Sequence, residues 1–154
     1  FLSPITNRRQ DRYGRDLEGR MRLPLEIVKA VRRVVGPDYL LLFRLAGDDM
    51  LPGGVTLAES KLVAREAVAA GVDVLDVSGG LGGYSPEAAG PAYFLPLASA
   101  IKQVVSVPVI CTGGIREPHL ADRIVRDGKA DLVGVGRAQF VDPQWAVKAR
   151  KILE

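Results

Sequence analysis

The sequence predicts an α/β protein built on a parallel sheet, and three observations predict it. From about residue 16, helix-period segments alternate with short strand-like runs, the pattern of strands joined by helical crossovers. The runs at about 39–46, 72–78, 107–112 and 131–136 are mostly apolar on both faces, as expected of parallel strands covered by helices on one side and by further side chains on the other. The last two close on glycine, in Thr112-Gly113-Gly114-Ile115 and Gly134-Val135-Gly136-Arg137, and each is followed by a polar, helix-opening stretch.

The elements follow in order. Asp16 precedes a helical segment with Leu17, Met21, Leu25, Val28, Val31 and Val35 on one stripe, stopped by Gly36-Pro37. Pro24 lies inside that stripe and is expected to kink the helix or remove one bond. Further helices are expected near 56–70, 95–105, 117–127 and 143–153, opened by Thr56, Pro96, Pro118 and Pro143. Three of them meet a stop, at Gly71, Val107-Pro108 and Gly128. Residues 79–93 form the one long irregular segment, and loops of that length are usually functional or disordered. Four strand-helix units fit a doubly wound sheet, or half of a barrel that needs eight strands.

The glycine-closed strand ends have the layout of a phosphate cradle. Bare backbone N–H groups can approach an anion where no Cβ intervenes, and Arg137 adds a forked, permanently charged donor. Glycine after a strand is also ordinary turn punctuation, so the tandem pair carries the inference.

Composition bounds the rest. The 154 residues are 47% hydrophobic and 25% charged, with a net charge of +3, which suits one globular domain spanning residues 1–154. Basic and acidic residues are interleaved, so no stripe points to nucleic acid. No apolar run approaches the ~20 residues that span a bilayer, and Phe1-Leu2-Ser3-Pro4 is not a signal peptide. Cys111 is the single cysteine, in an apolar strand, and reads as a buried thiol in a reducing compartment, by default the cytoplasm. The missing initiating Met suggests that the native polypeptide begins earlier.

The segments Phe1-Leu2-Ser3-Pro4-Ile5-Thr6-Asn7-Arg8-Arg9-Gln10-Asp11-Arg12-Tyr13-Gly14 and Leu17-Glu18-Gly19-Arg20-Met21-Arg22 strongly resemble the signature of the old yellow enzyme family of flavin-dependent oxidoreductases. The resemblance continues through Phe43-Arg44-Leu45, Val77-Ser78-Gly79-Gly80, Thr112 to Ile115, Gly128-Lys129-Ala130-Asp131 and Gly136-Arg137-Ala138. It implies a TIM (β/α)8 barrel carrying FMN, reduced by NADH or NADPH, of which this chain supplies the second half, strands 5–8 with their helices. It also implies a small-molecule substrate, an activated alkene or related electrophile, and a homo-oligomer for the intact protein.

Residue by residue, Arg44, at the end of the first strand, matches the arginine beside the pyrimidine edge of the flavin. A fixed cation there stabilises the negative charge that the ring gains with a hydride. The alternative is a solvated Arg or one paired with Asp48 or Asp49. Gly113, Gly114, Gly136 and Arg137 match the family's FMN-phosphate contacts. The family's substrate-anchoring His-His or His-Asn pair and its protonating tyrosine would lie upstream of Phe1, so no catalytic residue is expected in this stretch. Asn7, Arg8, Arg9, Asp11 and Tyr13 read as a loop lock, His119 as a solvent-facing first-turn residue, and Trp145 and Phe140, with Val141 and Val147, as packing. Tyr84 and Tyr93 would either close over substrate or pin the glycine-rich loop. A different class of function is a non-catalytic half-barrel that binds a phosphorylated ligand or a partner half.

Overall fold

The computed structural model describes residues 1–83 and 90–154. Helix α1 (Leu17–Val35) leads into β1 (Leu42–Ala46), α2 (Leu57–Ala69), β2 (Val74–Ser78), α3 (Leu95–Lys102), β3 (Val109–Cys111) and α4 (Pro118–Arg126). The chain closes with β4 (Leu132–Val133), a short α5 (Arg137–Val141) and α6 (Trp145–Leu153). All neighbouring strands are parallel, and they lie side by side in chain order, β1-β2-β3-β4. A doubly wound sheet reverses its order at a switch point, and this sheet does not reverse. Crossovers of one hand that always step the same way put their helices on one face, so the sheet has a covered face and an open one.

The covered face holds the core. Leu45, Leu75, Val77, Val109 and Cys111 are essentially buried and pack with Val63, Ala64, Ala67, Ala98 and Ile101 from α2 and α3. Helix α1 adds Leu17, Met21 and Leu25 to this cluster and buries Val28. It runs through Pro24 without a break, because the buried stripe outweighs one missing backbone bond. The outer end of the expected stripe does less: Val31 is exposed.

Local signals set most ends. Thr56 accepts from the Glu59 backbone N–H while the Glu59 carboxylate accepts from Thr56 N, a complete capping box on α2. Asp16 caps α1 through Gly19 N at 2.8 Å. Two expected boundaries move. Helix α3 stops at Lys102 rather than near 105, because residues 103–104 tighten into turns that bring the chain to Pro108. The segment near 131–136 forms only a two-residue strand, followed by Gly134, whose N–H still pairs with Cys111 O at 2.8 Å.

The C-terminal packing expectation fails in part. Phe140, Val141 and Val147 are 93%, 86% and 56% exposed, and only Trp145 packs against the core. Asp142-Pro143 separates α5 from α6, so the apolar residues do not share one helical stripe and the five-residue α5 leaves Phe140 off the core. Trp145 Nε1 donates to Arg116 O at 2.7 Å.

Two aspartates clamp the beginnings of the strands. Asp73 accepts from Leu41 N at 2.8 Å and pairs with Arg32, while Asp131 accepts from Val109 N at 2.9 Å and pairs with Lys102. The backbone N–H groups of Asp73 and Asp131 return bonds to Leu41 O and Val109 O, both at 2.9 Å. For Asp131 the lysine bond is the largest cause holding its carboxyl below the ordinary value; for Asp73 it is the Leu41 N–H, then Arg32.

The opening segment is locked as expected. Asn7, buried, donates to Phe1 O and Tyr13 O, each at 2.7 Å, and Arg9 pairs with Asp11. Arg20, 5% exposed, reaches Leu2 O and Glu59 Oε1, both at 2.7 Å, so one guanidinium ties the segment to α1 and α2.

Candidate functional site

At the carboxyl ends of the strands, on the open face, lies a concavity of about 570 Å3. Arg44, Gly113, Gly114, Gly136 and Arg137 all line it. The volume is of the order that holds a small cofactor. Residues as distant in sequence as Arg44 and Gly136, 92 positions apart, meet because each strand ends at the same rim.

Arg44 lies mid-strand in β1, not at its end, since pairing continues to Ala46. The register sets it against Asp76, then Ile110 and Leu132, in one row across the open face. Its Nη1 donates to Asp76 Oδ2 at 2.7 Å. Asp48 and Asp49, the other candidate partners, are used elsewhere. Asp48 accepts from Met50 N and Leu57 N, at 2.6 and 3.0 Å. Asp49, buried, accepts from Val55 N at 2.8 Å and Leu81 N at 3.2 Å. Burial alone would raise the Asp49 carboxyl, but bonds from Ser3, Val55 and Leu81 hold it below the ordinary value. Asp49 thus fastens the first turns of the glycine-rich segment; Tyr84 lies outside the described residues.

Gly113 and Gly114 have φ of +98° and +71°, a region that side chains disfavour. A Cβ at Gly113 would lie 2.6 Å from both Phe94 Cδ2 and Tyr93 Cε2, and one at Gly114 would lie 2.8 Å from Tyr93 Cε1. These two glycines therefore admit an aromatic wall as well as a strained turn. Tyr93 and Phe94 meet edge to face, with centroids 4.5 Å apart. At Gly136 a Cβ would meet nothing within 4 Å, so that strand end faces open space. Arg137, the first residue of α5, donates from Nη2 to Tyr93 Oη at 2.8 Å. Tyr93 thus pins an arginine of the site rather than standing apart from it.

His119 is exposed at the second position of α4. Cys111 is buried among core residues, and burial, with the Asp76 charge adding, pushes its thiol up to about 11. It is a poor nucleophile there.

Sequence reasoning missed two features, the Arg44–Asp76 pair and the Tyr93–Arg137 bond. The first had a signal: Asp76 is a charge within Val74-Leu75-Asp76-Val77, where a parallel strand has little use for one. The second had none, because the loop path to Tyr93 has no periodicity to read.

The sequence profile of the NADH:flavin oxidoreductase / NADH oxidase family matches residues 1–154. This chain belongs to that family. Among curated relatives, an NADH oxidase of Thermoanaerobacter brockii is 46% identical over 156 residues, covering 98% of this chain and 24% of that protein. An NADPH dehydrogenase of Geobacillus sp. (strain WCH70) is 37% identical, covering 99% of this chain and 44% of the relative. Among solved structures, a 2-naphthoyl-CoA reductase complex superposes with a TM-score of 0.89 at 32% identity, covering 97% of this chain and 24% of the other. The chain thus spans from about a quarter to under a half of the length of these relatives. The fold is an α/β parallel sheet of the TIM-barrel family, and membership implies FMN, with NADH or NADPH as reductant. No helix among the described residues is long and apolar enough to cross a membrane.

Proposed function

We propose that this chain is the second half, strands 5–8, of a (β/α)8 barrel of the old yellow enzyme type, and that it supplies the FMN-phosphate side of the active site. The observation that carries the reading is the gathering of Arg44, Gly113, Gly114, Gly136 and Arg137 around one concavity. The donor set suits FMN: Arg137 can meet a phosphate, the Gly136 strand end leaves room for one, and Arg44 stands apart in the strand row for the ring edge. When bound, FMN would supply hydride transfer between a nicotinamide and an electrophile such as an activated alkene. This chain's part is to bind and orient. Arg137 and the backbone of Gly113, Gly114 and Gly136 would hold the phosphate, and Arg44 would place a positive charge where the ring gains a negative one.

The half-barrel assignment is supported by the sequential sheet order, by an open inner face and by exposed Leu42 and Leu132 on that face's two outer strands. Substrate anchoring and proton donation would then come from the other half. The test is a visible absorption spectrum of the intact purified protein, followed by NAD(P)H-dependent turnover of cyclohexenone or maleimide. Bound oxidised flavin with alkene reduction is expected. A colourless protein that binds inorganic phosphate but no flavin would replace this reading with the non-catalytic one.

A further inference from the structure

Asp76 stands opposite Arg44 in the parallel register of β1 and β2, and its Oδ2 accepts from Arg44 Nη1 at 2.7 Å. Its other oxygen, Oδ1, is buried and without a hydrogen-bond partner among the described residues. Beyond it in the row come Ile110 and Leu132, which have no side-chain donor to offer. The two members of the pair differ in how firmly they are held. The Asp76 side chain is 21% exposed and grows from a strand flanked on both sides, whereas the Arg44 side chain is 59% exposed on a strand paired on one side only. The carboxylate is the fixed partner, and the long arginine is the one whose position needs fixing. A charge placed mid-strand on a face that lines the concavity, with one oxygen on the arginine and one free, is an expensive choice if it serves packing alone.

We propose that Asp76 is a positioning residue of the flavin site: it fixes the Arg44 guanidinium on the open face of the sheet and offsets part of its charge. It thereby sets how strongly the site favours the reduced over the oxidised flavin. The proposal rests on the flavin reading above. Replacing the carboxylate with an amide keeps an acceptor oxygen for Arg44 but removes the opposing charge. The cation stays and acts less neutralised, which favours the ring form that carries more negative charge.

The experiment is a reductive titration of the full-length, FMN-loaded protein and its variants, reading the flavin midpoint potential. Asp76→Asn is expected to raise the preference for reduced over oxidised FMN about tenfold, which is about 30 mV for a two-electron couple. Asp76→Glu, which keeps the charge, should stay near the parent. Arg44→Met, which removes the cation, should shift the potential the opposite way, downward. An unchanged or lowered potential in Asp76→Asn with FMN still bound overturns the proposal, even if Arg44→Met behaves as expected. A parent protein without a flavin spectrum refutes the flavin reading itself, and this proposal with it. Should Asp76→Asn fail to fold, the smaller Asp76→Ser reads the same potential. Failure of both to fold would show that the sheet itself requires the carboxylate, and would also overturn the assignment.

Discussion

Tyr93 Oη accepts a hydrogen bond from Arg137 Nη2 at 2.8 Å, joining the aromatic wall ahead of α3 to the first residue of α5 across 44 positions of sequence. The same tyrosine ring lies against Gly113 and Gly114. One aromatic side chain therefore organises both glycine-closed strand ends, and an anion in the cradle would find Arg137 already oriented.

That relationship yields the first prediction. In the intact protein, Arg137→Ala should weaken FMN binding by roughly ten- to a hundredfold, the effect of losing a charge-assisted contact of about 1.5–3 kcal/mol. Tyr93→Phe keeps the cation and the ring and should cost much less. Titration with FMN checks both, and parent-like affinity in Arg137→Ala would remove that residue from the site.

The glycines separate by their surroundings. Gly114→Ala must place a Cβ at φ +71°, 2.8 Å from the Tyr93 ring, and should destabilise the fold by about 1–3 kcal/mol. Gly136→Ala meets open space at φ −103° and should leave the denaturation midpoint near that of the parent. Urea unfolding of the two variants gives the comparison; equal losses would mean that the aromatic wall does not constrain the turn.

Acid should release the strand clamps. Asp131 has its carboxyl lowered, first by Lys102, so the stability it contributes is fully present above the unfolded-chain value of about 3.9 and is lost as pH falls through the lower folded value. Asp73 behaves in the same sense. As pH falls below about 4 the parent should lose stability more steeply than Asp131→Asn, which lacks the titrating group. Matching slopes in denaturation across that window would count against the clamp.

Expressed alone, the chain is expected to self-associate and to reduce no activated alkene. Among the described residues, strands β1 and β4 have unpaired outer edges, and Leu42, Leu132 and Phe140 are 49%, 49% and 93% exposed. Size-exclusion chromatography with an ene-reductase assay tests this. A monomer that carries flavin and turns over cyclohexenone would refute the half-barrel assignment.

The order of helices and strands was legible because each unit announces itself locally: the capping box at Thr56 and Glu59, Pro118 at the first position of α4, and the stripe of α1. The resemblance also placed Arg44, Gly113, Gly114, Gly136 and Arg137 together, and they share one concavity. What escaped depends on register and loop path. Arg44 faces Asp76 rather than Asp48 or Asp49 because strand pairing, not sequence proximity, decides the neighbour. Phe140 departs from the packing expected of it because Asp142-Pro143 divides what looks, by spacing, like one helical face. The role of Gly113 and Gly114 in admitting Tyr93 is invisible until the segment after residue 90 is traced back over the strand ends.

The aspartate clamps at Asp73 and Asp131 secure alignment at one end of the sheet, and the groups that line the concavity gather at the other. From Asp73 to Ser78 the strand covers roughly 17 Å at about 3.3 Å per residue. Such a separation lets variation act selectively. Changes at the rim can retune which molecule is accepted while the anchoring charges keep the strands in step, and a scaffold divided this way can acquire new chemistries without first having to survive a loss of register.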